Sequence, residues 1–280
     1  MTALIVDVGM HRCEDTDYYL ARGYRVVAVE PNPALVDLAQ RRHAHAVASG
    51  QLVVLSCALT DQDLGSVEFN VSDTSQWSSI RTEVSTRLGR GSKPLVVATR
   101  TLASVLREFG LPLYCKIDAA GHERVCLATL SSLPELPPFL SVQTECLGQG
   151  EVITEEAALA TLRQLVSLGY RSFKLVDQST LSVLHPERRF YFAKGTAPEK
   201  LLWVIKRSAT VMRQRRYLGR LQHRFQRGAS GPFGEDLNGS WSDAADAAEM
   251  LLRHRRDFFG GNTANAARSF SFWCDWHARR

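Results

Sequence analysis

The sequence of 280 residues is 45% apolar and 22% charged, which provides enough apolar material for a packed core and excludes a wholly disordered chain. Six cysteines without a C-x-x-C pair argue against a disulfide framework or a zinc site and predict reduced thiols in a cytoplasmic protein. No apolar run approaches the roughly 20 residues that span a bilayer. The charge is unevenly distributed, since residues 1–199 hold 19 basic and 22 acidic residues whereas residues 200–280 hold 15 and 7.

Short apolar runs alternate with helical patterns through most of the chain. The predicted strands are Leu4–Val8, Arg25–Glu30, Leu52–Cys57, Tyr114–Asp118, Leu140–Glu145, Phe173–Val176 and Phe190–Ala193. Helical patterns lie between most of them, at about 15–22, 33–48, 101–109, 122–131 and 154–168. This alternation is typical of βαβ units and predicts an α/β fold with a doubly wound, mainly parallel sheet. Since the chain opens directly on a strand pattern, we expect no signal peptide.

Two neighbouring segments do not follow this alternation. Ser66–Asp73 alternates apolar and polar residues, which predicts an extra strand or hairpin arm. Thr74–Pro94 is rich in Ser, Thr, Arg and Gly, and a loop of that length in a compact domain is commonly a lid or a binding loop. We therefore expect an additional strand followed by a long loop over the sheet edge.

The last part of the chain differs in composition, and we expect a domain of residues 1–198 followed by a basic helical extension of residues 199–280. Lys200–Arg227 holds regularly spaced apolar residues, nine basic residues and no acidic one. This pattern predicts a basic amphipathic helix. A second helix is predicted at about 243–257, and an aromatic tail at 270–277 contains tryptophans that we expect to pack on the main domain.

The basic helix indicates an anionic partner, because eight cations over residues 206–227 without one acid are unusual for a solvated face. Tyr217 and Phe225 are the only aromatic residues between Arg207 and Arg227, which is few for stacking on bases. We therefore favour an anionic glycan, membrane or lipid surface over nucleic acid. The protein would then be cytoplasmic and attach peripherally to the inner membrane surface.

The first two predicted strands end in residues that suit a nucleoside. Asp7 and Gly9 lie at the end of the first strand, and Glu30 ends the second about 20 residues later. Ligands of open α/β sheets bind beyond the carboxyl ends of the strands, where a carboxylate can accept hydrogen bonds from both ribose hydroxyls. The G-x-G-x-x-G run that holds a pyrophosphate is absent after Gly9. A nucleoside without phosphates, such as S-adenosylmethionine, is therefore favoured, although two buried polar strand ends without a ligand would give the same pattern.

Further segments occur in a fixed order along the chain. They are Asp7-Val8-Gly9, Val29-Glu30-Pro31-Asn32-Pro33, Cys57-Ala58-Leu59-Thr60-Asp61, Thr101-Leu102, Lys116-Ile117-Asp118-Ala119-Ala120-Gly121-His122-Glu123, Thr144-Glu145 and Leu168-Gly169-Tyr170. This order resembles the FkbM-type S-adenosylmethionine-dependent methyltransferases, many of which O-methylate sugars or polyketides. The resemblance extends over about residues 4–195, and the K-I-D-x-x-G-x-E stretch is its most specific part.

The resemblance implies a class I methyltransferase sheet with a seventh, antiparallel strand, and S-adenosylmethionine as the cofactor. Glu30 would bind the ribose, Asp7 and Gly9 would hold the methionine end, and Cys57–Ala58 would flank the adenine. The full set of predicted cofactor residues is Asp7, Gly9, His11, Glu30, Pro31, Asn32, Cys57 and Ala58.

Two positions depart from the family pattern. Cys13 stands where the family usually has glycine, and a side chain there costs energy if the backbone φ is positive. Ala120 stands where the family usually has glutamate, so one carboxylate expected near the acceptor is missing. These departures motivate an alternative function, a non-catalytic S-adenosylmethionine-binding module derived from a methyltransferase.

Methyl transfer to oxygen requires an aligned acceptor hydroxyl, exclusion of water and a group that accepts the proton. Asp118 ends the fourth strand, and we expect it to act as the base or to hold the acceptor; in the alternative it only holds the strand-end turn through backbone N–H groups. His122, one turn further on, is the second candidate for the base. Glu145 ends the fifth strand and could bind the acceptor. Two carboxylates are too few to indicate a metal site, so we predict none.

Three residues of the long loop, Trp77, Ser78 and Arg81, are predicted to contact the acceptor. Trp77 would stack on a sugar ring, or alternatively anchor the loop to the core. The leading prediction is an O-methyltransferase acting on a hydroxyl of a sugar, glycoconjugate or polyketide-type acceptor. A nicotinamide-dependent oxidoreductase is disfavoured, since the glycine-rich run is missing.

Overall fold

The structure is a computed structural model that describes residues 2–63, 65–73, 78–86, 91–144, 154–185, 197–226, 228–259 and 273–280. Two compact units are formed, by Met1–Gln143 and by Thr144–Arg280. The boundary predicted after residue 198 does not coincide with this division. Residues on both sides of it belong to the second unit, where the last residues of the chain pair with a strand at residues 172–177.

The first unit contains the sheet whose strands were predicted from the apolar runs. Its strands are β1 (Leu4–Val8), β2 (Arg25–Val29), β3 (Leu52–Leu55), β4 (Ala58–Leu59), β5 (Ser66–Ser72), β6 (Ser92–Arg100), β7 (Tyr114–Ile117) and β8 (Phe139–Gln143). Its helices are α1 (Thr16–Ala21), α2 (Pro33–Arg42), α3 (Ala44–Ala48), α4 (Thr82–Ser85), α5 (Leu102–Phe109) and α6 (Glu123–Leu130). The helix predicted at about 33–48 is interrupted at His43, whose φ of −113° and ψ of 34° are not helical.

The central strands of the first unit are parallel and lie in the order β8-β7-β1-β2-β3. β1 is paired with β2 on one side and with β7 on the other, and all five of its residues are buried, which explains its uninterrupted apolar run. The strand order reverses between β1 and β7, so the loops beyond their carboxyl ends diverge and leave a crevice. The predicted doubly wound, mainly parallel α/β arrangement is confirmed.

A smaller sheet has the order β4-β6-β5. β5 forms where the alternating pattern predicted a strand, and it pairs antiparallel with β6. The loop predicted at Thr74–Pro94 is shorter than expected, because β6 already begins at Ser92. Pro94 obscured this strand in the sequence, since proline is unusual inside a strand and is tolerated where one edge is unpaired. Residues 74–77 and 87–90 lie outside the described part of the chain.

The second unit combines helices with an antiparallel sheet. Its elements are α7 (Glu155–Ala158), α8 (Ala160–Ser167), β9 (Ser172–Asp177), β10 (Ser182–Val183), α9 (Ala197–Gly219), α10 (Ala244–Phe259) and β11 (Cys274–Arg279). β10 and β11 both pair antiparallel with β9. The strand predicted at Phe190–Ala193 lies outside the described residues. Across the described residues, no helix is long and apolar enough to cross a membrane.

The aromatic tail ends in a strand that the sequence did not predict. β11 is antiparallel to β9 along its whole length, from Cys274 opposite Asp177 to Arg279 opposite Ser172. Trp276 is fully buried and packs edge-on against Phe173, with 6.4 Å between the ring centroids. The expected packing of this tryptophan therefore takes place within a sheet, as part of the core of the second unit.

Candidate functional site

The candidate site lies at the carboxyl ends of β1, β2 and β7, where the backbone at Gly9 approaches the backbone at Asp118 closely. A Cβ atom on Gly9 would lie 1.8 Å from the carbonyl oxygen of Asp118, and the φ of Gly9 is +75°. The backbone N–H groups of Gly9 and Met10 both donate to the carbonyl of Val29, at 2.9 and 3.2 Å. Only glycine satisfies both the close approach and the positive φ at this position.

A buried ion pair joins β1 to β7 beside this glycine. Lys116 Nζ donates to Asp7 Oδ1 and to the carbonyl of Gly9, both at 3.1 Å, and lies 3.6 Å from Asp15 Oδ2. The other Asp7 oxygen, Oδ2, accepts a hydrogen bond of 2.6 Å from Thr16 Oγ1. The side chains of Asp7 and Lys116 are 0% and 4% exposed. The ion pair therefore holds the first turn of the 9–15 loop against β7.

The charges around Lys116 fix its protonation state. Burial by itself lowers the pKa of this lysine, but Asp7, Asp15 and Asp118 outweigh burial and raise the pKa well above its ordinary value. Lys116 is therefore a permanent cation at the strand ends. No role was predicted for Lys116 from the sequence, although a lysine inside an apolar strand requires a charged or hydrogen-bonding partner when buried.

The loop that follows β1 adopts unusual backbone conformations. His11 and Cys13 have φ angles of 51° and 68°, so the cost anticipated for a side chain at Cys13 applies, about 1–2 kcal/mol. Glu14 stabilises the loop: its Oε1 lies 2.8 Å from His11 Nδ1 and its Oε2 accepts a hydrogen bond of 2.9 Å from the Arg12 N–H. Burial opposes ionisation of Glu14, yet the contact with His11 and the backbone hydrogen bonds lower its pKa.

Glu30 lies at the end of β2 and receives two backbone hydrogen bonds. Its Oε2 accepts from the His11 N–H at 3.0 Å and its Oε1 from the Asn32 N–H at 2.9 Å. Burial raises the pKa of this carboxyl to about 7 in spite of these bonds. Beyond Pro31, the Asn32 side chain accepts from the Ala34 N–H at 3.1 Å and caps α2. Glu30 therefore connects the loops that follow β1 and β2.

Asp118 directly follows the last residue of β7. Its carboxylate has no hydrogen-bond partner among the described residues. Burial raises the pKa of Asp118, Lys116 opposes this effect, and Asp7 adds to it. The pKa of this carboxylate is consequently shifted towards neutrality, in the direction that suits a general base.

The alternative role considered for Asp118, holding the strand-end turn, is performed by Glu123. Both carboxylate oxygens of Glu123 accept from the Gly121 N–H at 3.0 Å. Glu123 is buried, and burial raises its pKa to about 7. Ala120 and Gly121 have φ angles of 45° and 98°, a left-handed turn that needs such an anchor. Glu123 belongs to the K-I-D-x-x-G-x-E stretch, but its role at this turn was not predicted from the sequence.

His122 caps α6 and is partly buried. Its Nδ1 is buried without a hydrogen-bond partner in the part of the chain that the structure describes. Burial lowers the pKa of this histidine, the positive charge of Arg81 lowers it further, and Asp61 opposes both. The ring is therefore neutral at physiological pH, a state in which it can accept a proton.

The segment after β5 rests on the turn beyond Asp118. Ser79 Oγ donates to the Ala120 carbonyl at 2.8 Å and accepts from the Arg81 N–H at 3.0 Å. A Cβ atom on Gly121 would lie 3.3 Å from Arg81 Cδ. Of the three residues predicted to contact the acceptor, Arg81 lies beside the turn, whereas Ser78 Oγ accepts from the Ser72 N–H within the hairpin at 3.1 Å. Trp77 and the strand-end Glu145 lie outside the described residues.

Cys57 and Ala58, predicted to flank an adenine, are buried at the end of β3 and the start of β4. Burial raises the pKa of the Cys57 thiol to about 11, so the side chain is neutral and behaves as a small apolar group. Ala58 belongs to the apolar cluster of the small sheet, together with Phe69 and Val97.

The family described as Methyltransferase FkbM domain matches residues 7–171. None of the curated proteins matches the sequence. The chain is similar to a 1,6-didemethyltoxoflavin-N1-methyltransferase from Burkholderia thailandensis, with 17% identity over 63% of this chain and a TM-score of 0.30; the match covers 62% of that protein, less than two thirds of its length. It is also similar to a SAM-dependent methyltransferase from Thiobacillus denitrificans, with 12% identity, coverage of 100% of this chain and 84% of that chain, and a TM-score of 0.35.

The family match and the order of the parallel strands confirm the predicted fold class, a doubly wound class I methyltransferase sheet. The roles assigned to individual residues from the sequence stay predictions. The structure brings Asp7, Gly9, His11, Glu30 and Asp118 together at the strand ends of the first unit, through the hydrogen bonds described above.

Replacing Gly9 by alanine should disrupt the first unit more than the same change at a glycine with free space around it. Gly23 also has a positive φ, +82°, but a Cβ atom there would meet nothing within 4 Å. We expect Gly23→Ala to cost about 1–2 kcal/mol of unfolding free energy, and Gly9→Ala to cost about 3 kcal/mol more or to prevent folding. Urea denaturation followed by circular dichroism measures both. Equal costs for the two variants would show that the close approach at Asp118 is not real.

The raised pKa of Glu30 predicts that its contribution to stability depends on pH. The folded-state pKa is about 7 against an ordinary value of 4.5, so the stabilisation from the protonated carboxyl is complete below pH 4.5 and is lost as the pH rises through 7. Between these values one such group lowers the unfolding free energy by about 1.4 kcal/mol per pH unit. Glu30→Gln should remove that part of the slope when the ligand-free protein is denatured in urea at several pH values. Parallel slopes for the variant and the wild type would contradict the burial of an ionisable Glu30.

Proposed function

Since the chain belongs to the FkbM methyltransferase family, we propose that it is an S-adenosylmethionine-dependent O-methyltransferase acting on a hydroxyl of a sugar, glycoconjugate or polyketide-type acceptor. The observation that carries the proposal is the state of Asp118. This carboxylate lies at the reversal point of the sheet and has a raised pKa. Glu123 holds the adjacent turn and leaves Asp118 available to an acceptor.

The residues at the strand ends fit the nucleoside part of S-adenosylmethionine. Each Glu30 oxygen accepts one backbone N–H and keeps a further lone pair, so the carboxylate can still accept from both ribose hydroxyls. Pro31 and Asn32 continue the same edge. The neutral thiol of Cys57 and the methyl group of Ala58 offer a small apolar surface for the adenine ring. Hydrogen bonds from the ribose would favour the ionised form of Glu30 and lower its pKa from about 7.

The loop between β1 and α1 fits the methionine end of the cofactor. The turn at Gly9 exposes backbone rather than side chain, and His11 is oriented by Glu14 and by Glu30. Lys116 and Asp7 hold this loop in place: Lys116 donates to the Gly9 carbonyl, and Asp7 accepts from the Thr16 hydroxyl. We propose that Asp7 supports the loop, and that the backbone near Gly9 and the side chain of His11 contact the ligand.

When bound, S-adenosylmethionine supplies an electrophilic methyl group on a sulfonium. The chain must then align the acceptor oxygen, exclude water and take the hydroxyl proton. Asp118 receives that proton on its carboxylate, and its raised pKa makes the transfer more favourable than for an ordinary aspartate. His122 is neutral because of its lowered pKa, and it is the second candidate for the group that takes the hydroxyl proton.

The acceptor side is formed by the segment that rests on the 118–121 turn. Ser79 fixes this segment to Ala120, and Arg81 lies against Gly121. An arginine beside the turn can donate several hydrogen bonds to hydroxyl and carbonyl oxygens of the acceptor. Because residue 120 is alanine, this part of the site carries one carboxylate fewer than the family pattern predicts.

The cysteines support a reducing, cytoplasmic compartment. Cys13, Cys57, Cys115 and Cys126 are free and buried, and Cys274 is buried as well. Burial raises the pKa of Cys13 to about 12 and that of Cys57 to about 11. Neutral, inaccessible thiols of this kind behave as core residues.

Replacing Asp118 by asparagine should separate the chemistry from cofactor binding. Asp118→Asn keeps the shape of the side chain but cannot accept the proton, so we expect the affinity for S-adenosylmethionine to stay within about threefold while turnover falls by ~10²–10⁴. Calorimetric titration gives the affinity, and the release of S-adenosylhomocysteine with a panel of sugar and polyketide hydroxyl compounds gives the turnover. Asp37→Asn on the exposed side of α2 is the matched control and should change neither quantity.

Each other outcome of this experiment has a defined meaning. A loss of turnover below tenfold in Asp118→Asn, together with complete loss in His122→Ala, would reverse the roles of the two residues. Tight binding of S-adenosylmethionine by the wild type without transfer to any hydroxyl compound of the panel would favour the non-catalytic binding module, to which Cys13 and Ala120 also point. Failure of the wild type to bind the cofactor would overturn the proposal.

A further inference from the structure

The C-terminal half of α9 and the residues just after it present a cationic surface. Arg213, Arg215, Arg216, Arg220 and Arg224 are all exposed. None of them forms an ion pair with a carboxylate among the residues that the structure describes. Three other exposed arginines of the second unit are arranged differently: Arg163, Arg253 and Arg256 each lie within ion-pairing distance of a glutamate. The five arginines of this surface, called the α9 surface below, are therefore available to an anionic partner.

Polar contacts on the opposite side fix the rotation of α9. Gln214 is buried, its Nε2 donates to the Leu181 carbonyl, and its Oε1 accepts from Asn238 Nδ2 at 3.2 Å. Tyr217 donates from its hydroxyl to the Asp236 carbonyl at 2.8 Å. The inward side of the helix thus contains a glutamine and a tyrosine, and two members of its apolar stripe, Ile205 and Met212, are exposed.

This rotation also leaves two large apolar side chains exposed on α9, one beside Arg213 and the other about two turns before it. Ile205 and Met212 are 57% and 68% exposed. With 100° per residue, Ile205, Met212 and Arg216 lie within about 40° of one another, opposite Gln214. Exposed aliphatic side chains surrounded by unpaired arginines are typical of helices that lie in a membrane interface, where the apolar groups enter the headgroup region and the cations contact the lipid phosphates.

We propose that the α9 surface docks the protein on a lipid bilayer with anionic headgroups. The charge complementarity is strong, because each cation near an anionic membrane surface contributes about a factor of five to the binding constant and the α9 surface provides five. Ile205 and Met212 add a contribution that does not depend on charge. Nucleic acid fits less well, because the described aromatic side chains of this segment have other contacts: Tyr217 donates to the Asp236 carbonyl, and Phe225 packs edge-on against His223.

The proposal is independent of the methyltransferase activity and can be tested on the full chain by vesicle sedimentation. The probes are vesicles of phosphatidylcholine alone and of phosphatidylcholine with phosphatidylserine at about 3:1. We expect binding at low salt only to the vesicles that contain phosphatidylserine, and we expect added salt to weaken it. The triple variant Arg213→Gln, Arg215→Gln and Arg216→Gln should bind about a hundredfold more weakly.

The matched control removes the same charge from the same unit. Arg163→Gln, Arg253→Gln and Arg256→Gln act on arginines that are paired with glutamates, so binding should change by less than about threefold. A second variant, Ile205→Ser with Met212→Ser, keeps every charge and should weaken binding about tenfold at every salt concentration tested. Circular dichroism shows whether each variant is folded.

Three results would overturn the proposal. Equal sedimentation of the wild type with vesicles that contain phosphatidylserine and with vesicles that lack it would show that the arginines do not select the lipid. The control triple variant could weaken binding as much as the α9 triple variant, which would make the effect one of net charge. Absence of vesicle binding at low salt together with tight binding of single-stranded RNA would make the α9 surface a nucleic-acid site.

Discussion

The buried ion pair between Lys116 and Asp7 is the interaction on which the candidate site depends. It lies between the two neighbouring strands at which the sheet order reverses, and it reaches the carbonyl of Gly9 as well. Removing one partner of such a pair leaves an uncompensated buried charge, which typically costs about 3–5 kcal/mol. Because the pair fixes the ends of β1 and β7 to each other, it also fixes the close approach of Gly9 to Asp118 from which the geometry of the site follows.

The carboxylates around this pair have different tasks, and their hydrogen bonds separate them. Asp7 accepts hydrogen bonds from Lys116 and Thr16, and Glu123 accepts from the N–H of Gly121. Glu30 retains capacity beyond its two backbone N–H groups, and Asp118 has no partner among the described residues. The two carboxylates left for ligands thus lie at the ends of β2 and β7, on either side of β1. This spacing suits a cofactor bound on one side and an acceptor approached from the other.

The sequence allowed the parallel sheet and its polar strand ends to be predicted, because buried parallel strands appear as apolar runs and ligand residues follow them directly. β11 was not predicted, because Cys274–Arg279 is short and has no β-branched residue; its apolar and polar residues do alternate, but its pairing with β9 is what makes it a strand. The inward position of Gln214 in α9 could not be predicted either, because it depends on tertiary hydrogen bonds that periodicity does not contain. The separate tasks of Asp118 and Glu123 depend on the turn between them, whose positive φ angles are set by the fold.

The measurement that tests the central claim most directly is a calorimetric titration of the folded chain with S-adenosylhomocysteine, compared with Glu30→Ala. We predict that the wild type binds and that Glu30→Ala binds about ten- to a hundredfold more weakly, since bonds to a charged acceptor are worth about 1.5–3 kcal/mol. Glu68→Ala, at an exposed position of β5, should bind like the wild type. A wild type that does not bind, or a folded Glu30→Ala variant with unchanged affinity, would contradict the assignment of the strand ends as the cofactor site.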